Sequence, residues 1–275
     1  MDESLRRLRR PVVVAAFEGW NDAADAATDV INHLASRYPT EVIAQLGSQD
    51  YYDFQVTRPR TQLVDGQREL IWPHIQVSVC HLPERDLVLV SGPEPNLQWQ
   101  AFAAEMLDHW RAVSPTLIVL LGAMLTDAPH SRPLPVSASS DDERLTHRFD
   151  LEPNTYEGPT GILGVLIDLA TREDLPLVSL WASVPHYVAS SPSPKATLAL
   201  LARLEDVLDV VLDQGDLPEL AKAWERGVDK LAAEDPDIAE YIEGLEQQQD
   251  ANELPQATGD SIAAEFQRYL RRHDQ

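Results

Sequence analysis

The chain of 275 residues carries 45 acidic against 22 basic side chains, a formal charge of −23, and 44% of its residues are apolar. That length and apolar share support one large core, alone or with an addition. The charge argues against nucleic acid and anionic membrane surfaces as partners, because both would be repelled.

Arg6, Arg7, Arg9 and Arg10 precede an apolar stretch, but Glu18 and Asp22 cut it short of a signal peptide. No apolar run approaches the ~20 residues of a membrane helix, and a cytoplasmic protein is expected. Val12 to Phe17 reads as a strand. Glu18-Gly19-Trp20-Asn21-Asp22 turns it into a helix that Asn21 or Asp22 can cap. Ala23, Ala27, Val30, Ile31 and Leu34 recur at helical spacing on its buried face. The turn has neither a dinucleotide fingerprint nor a P-loop pattern, so no cofactor is expected.

Glu41 to Leu46 is a short strand, and Gln49 through Arg60 reads as a crossing loop with an extended part. Glu69 to Trp72 and His74 to Cys80 read as strands joined at Pro73. They are expected as an antiparallel addition to the sheet, since so short a link excludes a parallel crossover. Cys80, the single cysteine, can form no internal disulfide and is expected as a small core residue. Asp86 to Ser91 is a buried strand ended by Gly92-Pro93-Glu94-Pro95-Asn96. Asn96 is placed to cap a helix with Trp99, Phe102, Ala103, Met106 and Trp110 on one side.

The apolar run Leu117 to Leu121 reads as a strand covered on both faces. Asp127, Pro129, His130, Ser131, Arg132 and Pro133 follow as a polar, proline-stiffened loop. Leu134 to Ala138 is a further short strand, and Ser139 to Arg144 a solvated stretch. Tyr156 to Gly161 begins a helix with a proline near its first turn, apolar from Ile162 to Ala170. Leu177 to Ser183 is the last clear strand and runs into Val184-Pro185-His186-Tyr187. Ser193 caps and Pro194 opens a long helix.

Pro218 and Asp235-Pro236 open two amphipathic helices. Gln247 to Gly259 reads as a linker, and Asp260 caps a final helix with Ile262, Phe266, Tyr269 and Leu270. From Ala202 onward 19 acids face 7 bases, about half of the net charge. The chain thus divides into a core, residues 1–212, and an acidic helical region, residues 213–275.

Strands alternating with helices imply a mostly parallel, doubly wound sheet, and ligands in such sheets bind beyond the carboxyl ends of the strands. Five strand-end loops would share that rim: Glu18 to Asp22, Gly92 to Asn96, Asp127 to Pro133, Tyr156 to Thr160 and Val184 to Tyr187. Glu18, Asp22, Glu94, His130, Arg132, Glu157 and His186 would then converge. A carboxylate beside an imidazole suits acid–base chemistry, and two histidines with two carboxylates suit a divalent metal. No H-x-x-x-H or H-E-x-x-H spacing and no G-x-S-x-G elbow is present. No catalytic residue and no metal ligand is therefore assigned, and the same groups serve equally as ion pairs or caps.

Six motifs together resemble the proteasome assembly chaperone 2 family in its bacterial branch. They are Phe17-Glu18-Gly19-Trp20-Asn21-Asp22-Ala23, Asp50-Tyr51-Tyr52-Asp53-Phe54 through Arg58-Pro59, Gly92-Pro93-Glu94-Pro95, Pro129-His130-Ser131-Arg132-Pro133, Tyr156-Glu157-Gly158-Pro159-Thr160-Gly161, and Ser179-Leu180-Trp181-Ala182 to Pro185-His186-Tyr187-Val188. The resemblance spans roughly Pro11 to Leu212. It implies an α/β fold: a three-layer α/β/α sandwich with a mostly parallel mixed sheet, phosphorylase/hydrolase-like, plus a C-terminal helical appendage. It also implies a homo-oligomer, with a trimer favoured. Trp20, Asn21, Arg58 and Thr160, which stand in these motifs, join the candidate pocket.

Eukaryotic and archaeal members of that family bind proteasome subunits, some through a C-terminal hydrophobic-Tyr-any tail. This chain ends His273-Asp274-Gln275 and lacks that tail. Gln267-Arg268-Tyr269-Leu270 is similar to the tail of bacterial proteasome activators, but five residues follow it. The expected function is a chaperone-like, protein-binding homo-oligomer acting on proteasome subunits. The alternative is a small-molecule hydrolase or phosphorylase-like enzyme using Glu, His and Arg at the rim.

Overall fold

The structure is a computed structural model that describes residues 8–47, 49–151 and 154–253. Along the chain run β1 (Val12–Glu18), α1 (Ala26–Arg37), β2 (Thr40–Leu46), β3 (Arg60–Val64), β4 (Gln67–Ile71), β5 (Ile75–His81), β6 (Asp86–Pro93) and α2 (Trp99–Val113). There follow β7 (Leu117–Thr126), β8 (Val136–Ser139), α3 (Glu143–Phe149), α4 (Ile162–Arg172), β9 (Leu177–Pro185), α5 (Pro194–Leu208), α6 (Leu217–Glu234) and α7 (Pro236–Glu253).

Seven strands form one sheet in the order β2-β5-β6-β1-β7-β9-β8. Its centre, β6-β1-β7-β9, is parallel. β5 runs antiparallel to both β2 and β6, and β8 antiparallel to β9. Side chains alternate across a strand, so a central strand must be apolar on both faces. In β1, Val12, Val14 and Ala16 join a core shared with α1 and α5. Val13, Ala15 and Phe17 join the opposite core with α2 and α4. Phe102 and Trp110 of α2 are buried there, and Phe17 meets Phe102 edge to face at 5.9 Å. Each fully buried side chain of this size contributes about 1.5–3 kcal/mol. The result is a three-layer α/β/α sandwich with C-terminal helices: α6 lies against α5, burying Leu217, Ala221 and Val228, and α7 follows it. Cys80 is buried in the first core, as its pattern suggests.

Several local expectations change. The strand at Glu69 to Trp72 does not join the main sheet; β4 pairs with β3 in a separate two-stranded ribbon. The cause is Asp65-Gly66, both at positive φ (50° and 80°), which closes a tight hairpin. Asn96 does not cap α2; its Oδ1 accepts from Asp53 N and Thr57 Oγ1, both at 3.0 Å, and so ties down the preceding loop. Pro159 stands outside the first turn of α4, whose N-cap is Gly161. The stretch expected to be solvated, Ser139 to Arg144, is exposed or half-buried along most of its length and runs into α3, which is capped where Asp142 Oδ1 accepts from Arg144 N at 2.9 Å. Ser193 holds the N-cap position of α5, yet its buried hydroxyl finds no partner among the described residues. α7 continues through Glu253, well into the expected linker. The helix expected from Asp260 lies outside the described residues. No described helix is long and apolar enough to cross a membrane.

Candidate functional site

The four parallel strands end side by side, with Glu18 opposite Pro93 and Thr126 opposite Pro185. Their loops therefore emerge on one edge of the sheet, where two unlike shoulders form.

The first shoulder lies beyond β1 and β6. Glu94 Oε1 accepts from Asn21 Nδ2 and from Ile162 N, both at 2.7 Å. One carboxylate thus joins the loops after β1 and β6 to the start of α4, where the helix dipole favours negative charge. Gly161 abuts Asn21, and a Cβ there would fall 2.2 Å from Asn21 Oδ1, which excludes any larger residue. Asp22 faces inward. Its Oδ1 accepts from Ala27 N at 2.6 Å, and its Oδ2 accepts from Thr28 N at 3.1 Å and Thr28 Oγ1 at 2.5 Å. Burial pushes this carboxyl up to about 6, against the pull of those hydrogen bonds. Asp22 and Asn21 therefore build the shoulder from within.

Beside this shoulder opens a groove of about 750 Å³, a volume that suits a ligand. Glu18, Pro93 and Glu94 form one wall; Thr57, Arg58, Arg60, Ile71 and Trp72 form the other. Tyr52 OH donates to Pro93 O at 3.0 Å and binds the walls together. Burial, and secondarily the charge of Glu18, raises the Tyr52 phenol, so it stays a donor. Carboxylates on one wall thus face guanidinium groups on the other.

The second shoulder lies beyond β7 and β9 and is covered. His130 is buried, with its backbone N donating to Tyr187 OH at 2.7 Å. Tyr187 OH in turn donates to His130 Nδ1 at 2.9 Å, which leaves the proton on Nε2 to face Asp229 Oδ1 of α6 at 3.0 Å. Burial raises the Tyr187 phenol to about 12 and keeps it protonated. Arg132 donates bidentately to Asp250 of α7 at 2.8 and 2.9 Å. Ser131 donates to Glu246, and Lys195 bridges His130 O and Glu225. His186 Nδ1 lies 3.3 Å from Asp127 Oδ1 and packs edge to face with Tyr187 and Tyr241.

The structure therefore brings Glu18, Arg58 and Glu94 to the groove, with Asn21 and Asp22 beneath. It places His130, Arg132 and His186 against the C-terminal helices, and leaves Trp20, Glu157 and Thr160 exposed. Among the described residues no cluster of three or more histidine, cysteine or carboxylate groups is placed to hold a metal ion. The pair of histidines and carboxylates imagined for that role does not assemble, because each imidazole has partners of its own. Sequence reasoning missed Tyr187, Lys195, Asp229, Glu246 and Asp250. Acidic residues at helical spacing were visible on α6 and α7, but nothing local named the loop they meet.

Fold and rim define a three-layer α/β/α protein with an open polar groove at the carboxyl edge and a helix-covered shoulder beside it. The PAC2 family profile matches residues 16–232, and the chain belongs to the PAC2 family. A PAC2 family protein from Streptomyces avermitilis is 51% identical; the match covers 84% of this chain and 99% of that one, with a TM-score of 0.80. A proteasome-assembly chaperone homologue from Mycobacterium tuberculosis is 47% identical over 84% of this chain and 99% of its own, with a TM-score of 0.77. An archaeal proteasome activator from Pyrococcus furiosus, 18% identical with coverage of 82% and 94% and a TM-score of 0.65, shares the fold. No match is found among curated proteins.

Proposed function

We propose that this chain is a cytoplasmic, chaperone-like homo-oligomer, a trimer by preference, that binds proteasome subunits during assembly. The observation that carries this reading is the 47% identity to the mycobacterial proteasome-assembly chaperone homologue across almost all of that chain. The site supports binding over catalysis. Both rim imidazoles are engaged, and among the described residues no nucleophile–base pair stands free in the groove. The binding surface in this reading is the open side of the strand-end rim, Glu18, Trp20, Arg58, Glu94, Glu157 and Thr160, with Asn21 and Asp22 supporting it; His130, Arg132 and His186 brace the covered side against the C-terminal helices. In this reading residues 213–275 are a second, acidic region, supported by the contacts of α6 and α7 with the covered shoulder.

The test is affinity capture with the tagged chain in its native host, read by quantitative mass spectrometry. Proteasome subunits should be enriched at least about tenfold over an unrelated bait, an affinity difference of ~1.4 kcal/mol. Equal recovery on both baits would overturn the reading.

A further inference from the structure

The walls of the open groove are oppositely charged but do not touch. Glu18 and Glu94 stand on one side, Arg58 and Arg60 on the other. Among the described residues, the side chains of Glu18, Arg58 and Arg60 make no hydrogen bond and no ion pair. Glu94 spends one oxygen on Asn21 and Ile162 and keeps the other for the groove. Acids outnumber bases 45 to 22, and exposed arginines elsewhere do take a carboxylate: Arg37 that of Asp213, Arg144 that of Asp142, Arg172 that of Asp168. Two unpaired arginines held across a gap from two carboxylates leave room for a ligand that satisfies both walls.

The gap is set in advance. Asn96 Oδ1 accepts from Asp53 N and Thr57 Oγ1, so the loop that carries Arg58 is pinned without a ligand. Pre-organised walls lose less freedom on binding. Exposed Val56 and Trp72 give the arginine side an apolar lip. From the sheet, Gln76 of β5 and Ser91 of β6 lie opposite each other and line the groove. Among the described residues neither side chain has a hydrogen-bond partner. An amide and a hydroxyl so placed can take the N–H and C=O groups of a peptide backbone.

The geometry of an extended chain selects the occupant, because it sends successive side chains to opposite faces. Laid along the groove, one residue meets the carboxylates and the next meets the guanidinium groups. A uniformly basic or acidic segment would suit one wall and be repelled by the other. We propose that the groove between the end of β6 and the base of the β3–β4 ribbon binds an extended peptide segment in which basic and acidic residues alternate. This rests on the protein-binding reading above and adds the chemistry of the segment that is held.

The test is fluorescence anisotropy on the full chain with two labelled, end-capped peptides of equal length. One alternates lysine and glutamate; the other has the same composition in two blocks. Both are neutral overall, so the field of the acidic chain treats them alike. The alternating peptide should bind at least about tenfold more tightly. Glu18→Arg and Arg58→Glu should each weaken it by about tenfold, with circular dichroism unchanged because both side chains are exposed. The double variant Glu18→Arg/Arg58→Glu exchanges charges between the walls, and a shift of the peptide by one residue restores the match. It should bind at least about threefold more tightly than either single variant, recovering only part of the loss because Glu94 and Arg60 keep their places. Equal affinity for the two peptides would overturn the proposal whether or not proteasome subunits are captured. Peptide discrimination without capture would remove the proteasome as partner and leave the groove chemistry standing. A capped lysyl-glutamate dipeptide that competes as well as the full alternating peptide would also overturn the proposal, assigning the groove to a small dipolar molecule.

Discussion

Asp22 is a carboxyl group enclosed by the loop it shapes, 4% exposed, with its oxygens spent on the first turn of α1. Its folded value of about 6 lies above the ordinary 3.8, so the native state holds its proton more tightly than the unfolded chain does. The stability it contributes is complete below about pH 4 and is lost as pH rises through about 6. Over that window its share amounts to on the order of 3 kcal/mol. Urea unfolding at steps from pH 4 to pH 7 should show this slope, and the difference between native chain and Asp22→Asn should carry it. Parallel curves for the two proteins would show that Asp22 titrates normally. Glu94 works differently at the same rim, joining three segments through one oxygen while its remaining surface faces the groove.

At the level of elements, the pairing of β7 with β9 positions the second shoulder. Gly122 lies opposite Trp181, and a Cβ on it would sit 2.6 Å from the indole. The ring fills the space a side chain would need, so the two strands keep register around this gap. Gly122→Ala should destabilise the fold by about 1–3 kcal/mol, since overpacking a dense core forces side chains off their rotamers. Chemical denaturation checks this; a change under a few tenths of a kcal/mol would mean the indole swings away freely. The contacts that hold α6 and α7 down are unequal. Arg132–Asp250 is part-exposed, and pairs of that kind are worth about 0–1 kcal/mol. Asp229 matters more, because losing it would leave a buried imidazole N–H unpaired, at about 1–3 kcal/mol.

For the whole molecule, the C-terminal helices cover chemistry as well as apolar surface. Removing residues 213–275 would strip Asp229 from His130 and Asp250 from Arg132 and uncover the face of α5 that meets α6. It would also remove much of the negative charge, which relieves self-repulsion. Burial outweighs repulsion here, because repulsion between exposed charges is screened beyond about 8 Å at physiological salt. The truncated chain should therefore melt at least several degrees lower and bind a hydrophobic dye. Differential scanning fluorimetry decides: an equal or higher melting temperature would mean the region is energetically separate from the core.

The core strands were legible residue by residue, because the apolar runs at Val12, Leu87, Leu117 and Leu177 carry their burial within a few bonds. Alternation of strand and helix likewise placed five loops on one edge; the central parallel strands put four of them there. The fifth, Tyr156 to Thr160, follows α3 rather than a strand and meets the rim only where it leads into α4, whose Ile162 N donates to Glu94. The ribbon was written in Asp65-Gly66, a local turn signal that the apolar pattern overshadowed. The fate of His130-Ser131-Arg132 was not written locally at all. Its partners Asp229 and Asp250 lie 99 residues from His130 and 118 from Arg132 along the chain. Periodicity reports which face of an element avoids water; it is silent on which distant element will cover it. By itself the sequence determined the layers, the edge and the polar loops gathered there. Only the tertiary structure decided that half of that edge stays open as a groove while α6 and α7 close the other half, since that choice depends on shape and charge matching between segments far apart in the chain.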